Sequence, residues 1–342
     1  MDLPRRRIST QSVDVQQRVP ETQVSLSRVG VTGVEKIVRI SVQGSGQLYH
    51  ATLDCFVDLN PQQMGVHMSR FEEIVNEAID EVVMGEAFKA ETLAAQVAER
   101  VRRRQRGLRA EVTIHARYPE HKLTPVTGKP TQELYTLIGT AVDSERGLRR
   151  VVGVQAQGMT ACPCAQELVA DGARERLEQH GFTDDEIERV FDSVPVATHN
   201  QRGVGTLMVG CPEGCEAEID AERLLAIVED SMSSEIYELM KRPDERAVVE
   251  KAHRRPRFVE DCVREMVRGL LDAYPGLDES AFVLARQENL ETIHQHNVVA
   301  ERYGLASEIA AELESDLHTL HHVTMREWLE SPAQAPPVGV RA

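Results

Sequence analysis

Two short stretches contain the residues whose types and spacing are best suited to chemistry. Cys162-Pro163-Cys164 ends one apolar stretch, and His199 stands at the start of the next, about 35 residues later. Proline fixes φ and removes a backbone donor, so the two thiols are expected in a stiff local bend. Thiolates and imidazoles are typical ligands of zinc and similar metals. The pattern therefore suggests a metal site with sulfur and nitrogen donors.

Carboxylates and further histidines follow later in the chain. Glu235 is expected on a helix before a Lys-Arg-Pro-Asp-Glu run, Glu250 lies in the next segment, and Glu291 precedes His294 and His296. In an alternating strand the last two imidazoles would share one face, an arrangement suited to metal binding or proton transfer. Cys, His and Glu together could form a three-ligand site with a fourth position open to water. A divalent metal there would generate hydroxide near neutral pH, which suits hydrolysis.

Each of these features also has an ordinary structural explanation. Cys162 and Cys164 could be buried thiols, since free Cys is among the most buried residue types. A redox pair is disfavoured because such pairs usually have two residues between the thiols. Glu235 alone could lie on a solvated helix face. Cys211 and Cys215 resemble a metal knuckle, but the sequence has no second pair at suitable spacing, and we predict a turn with two thiols.

A possible anion site lies in the first half of the chain. His67 and Arg70 belong to the run Gly-Val-His-Met-Ser-Arg, in which Ser69 is predicted to cap a helix. A helix N-terminus beside an arginine is suited to binding phosphate or carboxylate. The alternative is a plain helix cap with an exposed arginine.

The elements that must position these residues follow a doubled order. Hydrophobic periodicity predicts β-β-α-α-β-β in the first half and the same order, with a helical insert, in the second. Two such units, each with helices on one face of an antiparallel sheet, predict an α+β protein. The expected ranges are a flexible arm at 1–22, a first unit at 23–146, a second unit at 147–305 with the insert at 166–194, and a C-terminal helix and tail at 306–342.

Composition excludes several classes of protein. The 342 residues have a net charge of −16, which argues against a protein that coats nucleic acid. The sequence contains no apolar run long enough to span a membrane and no apolar segment typical of a signal peptide. Six Cys in a chain of this length do not indicate a disulfide scaffold. We therefore expect a cytoplasmic protein without membrane or nucleic-acid partners.

Five motifs in order resemble a known family. The runs GVHMSR, CPCAQ, THNQRG, SEIYELMKRPDE with FVED, and ETIHQHN are similar to those of the type IB GTP cyclohydrolases, which include archaeal enzymes of the methanopterin pathway. The resemblance covers roughly residues 24–305. It implies a subunit made of two tunnelling-fold (ββααββ) units. It also implies a homotetramer with substrate pockets at subunit interfaces.

The resemblance implies roles for individual residues and a divalent metal, which is Fe(II), Mn(II) or Zn(II) in such enzymes. A Cys, His and Glu donor set does not choose among these metals by ligand softness alone. The implied roles are metal ligands for Cys162, His199 and Glu235, a general base for Glu250, a guanine anchor for Glu291, proton transfer for His294 and His296, and a second active-site thiol for Cys164.

The implied reaction opens the imidazole ring of GTP at C8, releases formate and closes a dihydropterin ring. The insert at 166–194 separates Cys164 from His199, as in the archaeal relatives, so the product could be dihydroneopterin triphosphate or its 2′,3′-cyclic phosphate. Two alternatives stay open. One is another tunnelling-fold reaction, of the pterin aldolase or nitrile reductase kind, with Cys162 as nucleophile. The other is a non-catalytic metal- or purine-binding module.

Overall fold

A computed structural model describes residues 15–42, 45–84, 89–212, 215, 217–315 and 321–331. Most of the expected N-terminal arm (1–14) and of the tail (332–342) lies outside these ranges. Within them, nine strands form one antiparallel sheet in the order β1-β2-β3-β4-β5-β6-β8-β9, and the short β7 pairs with β5. The strands are β1 Leu26–Val42, β2 Ser45–Leu59, β3 Arg109–Leu123, β4 Pro130–Ser144, β5 Gly147–Ala161, β6 Asn200–Cys211, β7 Ser234–Glu235, β8 Phe282–Leu290 and β9 Val298–Leu305.

The helices follow the doubled order predicted from the sequence. Two helices connect β2 to β3, and the longer connections of the second half contain five. The described helices are α1 Met68–Met84, α2 Ala90–Gln105, α3 Pro163–Gln179, α4 Asp184–Ser193, α5 Ala221–Ser231, α6 Arg242–Arg254, α7 Val259–Ala273, α8 Ala306–Glu314 and α9 Met325–Glu330. The α+β class and the tandem β-β-α-α-β-β order are therefore confirmed.

The two units share one sheet and one main core. A tight turn joins β4 to β5, with Ser144 opposite Gly147, so the hydrogen-bonded ladder continues from the first unit into the second. On β5 the alternating residues Val152 and Val154 face the helices and belong to the main core. A Cβ atom on Gly139 would lie 2.4 Å from the carbonyl carbon of Ala90, so the close packing of α2 on β4 requires glycine.

The second face of the sheet is covered locally by α9. Trp328 is 3% exposed and packs with Leu329 against side chains such as Val151 and Phe282, which alternate with those of the main core. Its indole N–H donates to the Ser280 carbonyl at 2.8 Å. The main helical layer thus lies on one face, as predicted, and α9 adds a small core on the other. Every helix in the described part of the chain is too short or too polar to span a lipid bilayer.

Candidate active site

Cys162 and His199 are neighbours at one end of the sheet. The pairing of β5 with β6 finishes at Ala161 opposite Asn200, so Cys162 and His199 occupy the next pair of positions. The Cys162 N–H donates to the His199 carbonyl at 3.1 Å. Directly opposed residues place their Cβ atoms about 5 Å apart on the same face. The structure therefore brings the thiol and the imidazole together, and we call this end of the sheet the Cys162 end.

The bend expected around the two thiols is the start of a helix. Cys162 is the N-cap of α3, Pro163 is its first residue, and the Ala165 N–H points at the Cys162 sulfur over 3.5 Å. Proline is favoured at this position because its missing N–H has no partner in the first turn of a helix. Cys164 lies exposed in that turn. The insert expected at 166–194 consists of α3 and α4, and its first helix begins three residues earlier than the expected boundary.

Glu291 joins the same cluster. It directly follows β8, and alternation from the buried Gln287 and Asn289 places it on the helix-covered face of the sheet. Its side chain is only 7% exposed, and its Oε2 lies 3.8 Å from the His199 Nδ1. A buried carboxylate beside an imidazole can accept hydrogen bonds from a ligand or hold a proton on the ring. Cys162, His199 and Glu291 thus lie at one end and on one face of the sheet.

Glu235 lies on a strand and not on the expected helix. α5 ends at Ser231, and the two residues of β7 pair with β5, with Glu235 opposite Gly158. The reason is that β4 pairs with β5 only as far as Gln155, so the backbone groups of β5 beyond that point need another partner. Gly158, the residue opposite Glu235, is four residues before Cys162 on the same face of the sheet. The backbone of Glu235 is therefore offset from Cys162 by about 13 Å along the strand. The Glu235 carboxylate accepts from the Lys251 Nζ at 2.7 and 2.6 Å.

The donor set suits a divalent metal only in part. Among the residues that the structure describes, no group of three Cys, His, Asp or Glu side chains is placed to hold an ion. Cys162 and His199 supply adjacent sulfur and nitrogen donors, while Glu235 is held by Lys251. In that ion pair the Lys251 side chain is 41% exposed and the Glu235 side chain is 24% exposed. Ion pairs that are open to solvent contribute about 0–1 kcal/mol to stability. Lys251 is therefore a weak competitor for the carboxylate, and the ligand set Cys162, His199 and Glu235 stays a prediction.

His294 and His296 lie in a loop and not in the expected strand. The β8–β9 pairing closes at Asn289 opposite Val298, and β8 ends at Leu290, which leaves residues 291–297 as the connection. The two imidazoles nevertheless face each other, with ring centroids 5.1 Å apart and planes inclined by 18°. Both are exposed at the Cys162 end. This position is suited to exchanging protons with a ligand bound beside Glu291.

Glu250 lies on α6 and is exposed. Its Oε1 is 3.8 Å from the Arg246 Nε, one helical turn earlier. The next residue, Lys251, is the one that reaches Glu235. The structure thus places α6 beside the candidate site, and the role of Glu250 as a general base stays a prediction.

His67 and Arg70 lie at the opposite end of the sheet, which we call the His67 end. The His67 carbonyl accepts from the Gln105 Nε2 at 2.9 Å, and the Arg70 Nη1 donates to the Arg104 carbonyl at 3.4 Å. Gln105 ends α2 shortly before β3 begins at that end. The 15 residues of β5 separate the two ends, which is roughly 45–50 Å of strand. One chain therefore does not bring His67 and Arg70 to Cys162. α1 begins at Met68, before the predicted cap at Ser69.

Sequence reasoning missed several polar residues around this site. Gln201 and the fully buried Thr160 connect to the His199 ring through hydrogen bonds. The available signal was the two-residue spacing from His199, which places Gln201 on the same strand face.

Asp244 is buried and binds the loop that connects β3 to β4. Its carboxylate accepts from the Val126 N–H at 2.9 Å, the Thr127 N–H at 2.8 Å, the Thr127 hydroxyl at 2.6 Å and the Lys241 N–H at 3.0 Å.

Asp244→Asn is expected to destabilise the protein in a pH-dependent way. Burial alone would raise the pKa of Asp244, but the hydrogen bonds from Thr127, Lys241 and Val126 outweigh it and hold the pKa well below its usual range. The ionised carboxylate therefore stabilises the fold above the unfolded value of about 3.9, and this contribution is lost as the pH falls below it. Urea unfolding should show a lower midpoint for the variant at pH 7 and a narrowing difference below about pH 4. Asp185→Asn, on the exposed first turn of α4, is the control, and an unchanging difference for Asp244→Asn would contradict this account.

Comparisons with known proteins identify the class. The family "Type I GTP cyclohydrolase folE2" matches residues 13–300 of this chain. The chain therefore belongs to the type I GTP cyclohydrolase family, and it is an enzyme. The resemblance found in the five motifs is thus confirmed.

Particular relatives carry the name GTP cyclohydrolase MptA. The protein from Methanothermobacter thermautotrophicus is 42% identical over 308 residues, covering 88% of this chain and 96% of the relative. Those from Methanococcus aeolicus and Methanocaldococcus jannaschii are 39% and 38% identical, covering 88% of this chain and 99% and 97% of the relatives. Among solved structures, the uricase from Arthrobacter globiformis aligns with a TM-score of 0.48 and 9% identity, covering 82% of this chain and 95% of the uricase.

Proposed function

We propose that this enzyme hydrolyses the imidazole ring of GTP at C8, releases formate and forms a dihydroneopterin phosphate. The observation that supports this most directly is the grouping of Cys162, His199 and Glu291 at one end and on one face of the sheet. This grouping combines a sulfur and a nitrogen donor with a buried carboxylate that can accept hydrogen bonds from a purine.

Glu291 would anchor the guanine. The N1–H and the 2-amino group of guanine are adjacent donors, and the two oxygens of a carboxylate can accept from both. Because the Glu291 side chain is only 7% exposed, water competes poorly for these bonds. His294 and His296 would then transfer protons at the opening imidazole ring and the ribose, and Glu250 would accept a proton from the attacking water. Cys164, in the first turn of α3, would serve as a further proton donor.

The metal would be held by Cys162, His199 and Glu235, with Fe(II), Mn(II) and Zn(II) as the candidates. When bound, such a metal acts as a Lewis acid that makes water nucleophilic near neutral pH. Glu235 would have to leave Lys251 in order to hold the metal, and the partly exposed ion pair would oppose this only weakly. Lys251 would then be available to a phosphate oxygen.

A complete substrate pocket would combine two chains. His67 and Arg70 at the start of α1 suit the triphosphate, because the first amides of a helix and a guanidinium both attract anions. They lie at the end of the sheet opposite to Cys162, so a second subunit must supply them. This favours a homo-oligomer with interface pockets, and a homotetramer is the state that we propose.

The deciding experiment measures formate release and metal content together. Incubation of the protein with GTP and Fe(II), Mn(II) or Zn(II) under anaerobic conditions should release formate, and phosphorus NMR should identify the product as the triphosphate or the 2′,3′-cyclic phosphate. Cys162→Ala should lose both bound metal and formate release. Cys215→Ala, which removes a thiol at the His67 end, is the matched control and should keep both.

Other outcomes would favour the alternatives. If Cys162→Ala abolished turnover while activity never required a metal, Cys162 would be a nucleophile of a different reaction. If the wild-type protein bound purine or metal without releasing formate, it would be a binding module.

A further inference from the structure

The His199 ring is connected to two buried polar side chains. Its Nδ1 lies 3.0 Å from the Gln201 Oε1, and the Gln201 Nε2 donates to the Thr160 hydroxyl oxygen at 3.0 Å. Gln201 is 5% exposed and Thr160 is fully buried. With its N–H group on Thr160, the Gln201 amide presents its oxygen on the other side. That side faces the His199 ring.

Two oxygens lie beside one ring nitrogen of His199. In a neutral imidazole one nitrogen donates and the other accepts. The Nδ1 of His199 faces two oxygens, the Gln201 Oε1 at 3.0 Å and the Glu291 Oε2 at 3.8 Å. If Nδ1 carried the lone pair instead, that lone pair would face a carboxylate, which is electrostatically unfavourable. Both neighbours therefore favour a proton on Nδ1.

We propose that Gln201 is a positioning residue that holds His199 as the Nδ1–H tautomer, with the Nε2 lone pair available to bind a cation. Metal-binding histidines commonly donate their second nitrogen to an oxygen in this way, which fixes the ring and increases its basicity. An amide oxygen does this without adding charge to the site. The tautomer belongs to the metal-free chain, and only its use in metal binding depends on the proposed function.

Nitrogen-15 NMR of labelled histidine in the metal-free protein tests the tautomer directly. Wild-type His199 should show a protonated Nδ1 and an unprotonated Nε2. Gln201→Leu should shift the ring toward the Nε2–H form, which imidazole prefers in water, whereas Gln201→Glu keeps an acceptor oxygen and should keep the Nδ1–H form. Thr160→Val leaves Gln201 in place but removes the partner of its amide, and should shift the ring in the same direction by less.

Affinity for Zn(II), measured by chelator competition, gives a second readout. Gln201→Leu should bind the metal about 10–100-fold more weakly, while Gln201→Glu should stay near the wild type. Gln157→Leu changes an exposed glutamine of β5 and is the matched control. An Nε2–H tautomer in the wild type, or an unchanged tautomer in both Gln201→Leu and Thr160→Val, would overturn the proposal. If the wild type released no formate, the proposed function would fail, while the tautomer measurement would still decide the role of Gln201.

Discussion

Co-expression of two inactive variants, Cys162→Ala and Arg70→Ala, is expected to restore formate release. Each variant alone lacks an essential group in every pocket. At an interface between one chain of each variant, one of the pockets is intact. The Arg70→Ala chain supplies its Cys162, and the Cys162→Ala chain supplies its Arg70. With random assembly across a two-fold interface, about a quarter of the pockets are complete, so about a quarter of the wild-type activity should return.

The control for this experiment combines two variants from the same end of the sheet. Cys162→Ala with His199→Ala should stay inactive, because both residues come from one chain and no mixed pocket contains both. Different affinity tags on the two chains would show that mixed oligomers form. If tagged hetero-oligomers of Cys162→Ala and Arg70→Ala formed without recovering activity, His67 and Arg70 would not belong to a shared pocket.

Glu291→Gln should lower kcat/KM for GTP by about 10²–10⁴-fold, since two hydrogen bonds to a charged acceptor are worth about 1.5–3 kcal/mol each. The glutamine keeps the size of the side chain but presents an N–H to one of the guanine donors. Bound metal should stay within about tenfold of the wild type, since Glu291 is not a proposed ligand and Gln201 still holds the His199 ring. Steady-state formate release and metal analysis measure the two effects separately.

Inosine triphosphate, which lacks the 2-amino group, is the matched substrate control for Glu291. The wild type should discriminate strongly in favour of GTP, and Glu291→Gln should lose much of this preference. An unchanged preference, or loss of metal together with activity, would show that Glu291 does not anchor the base.

The doubled order of elements was predictable because each unit shows clear hydrophobic periodicity. Alternating residues favour strands just before Cys162 and just after His199, and Leu93, Val97 and Val101 recur at helical spacing on the face that α2 buries. The motifs identified the family. The proximity of Cys162 and His199 then follows from the β5–β6 register, which pairs Ala161 with Asn200.

The remaining features depend on tertiary structure. The helical pattern of α5 gave no sign that Glu235 would add to β5, because that pairing depends on where β4 ends. The alternation around His294 could not reveal that the β8–β9 ladder closes before it. Sequence also cannot show that His67 and Cys162 lie at opposite ends, since that requires the complete register of the sheet.

The continuous ladder between β4 and β5 also limits how the enzyme can move during turnover. The two halves of the chain cannot rotate about a hinge without breaking hydrogen bonds between Thr136–Ser144 and Gly147–Gln155. Shielding of the opened ring from bulk water must then come from short segments, such as the connection at 291–297, or from a neighbouring subunit. We therefore expect substrate entry and product release to be governed by local loop motion and by assembly.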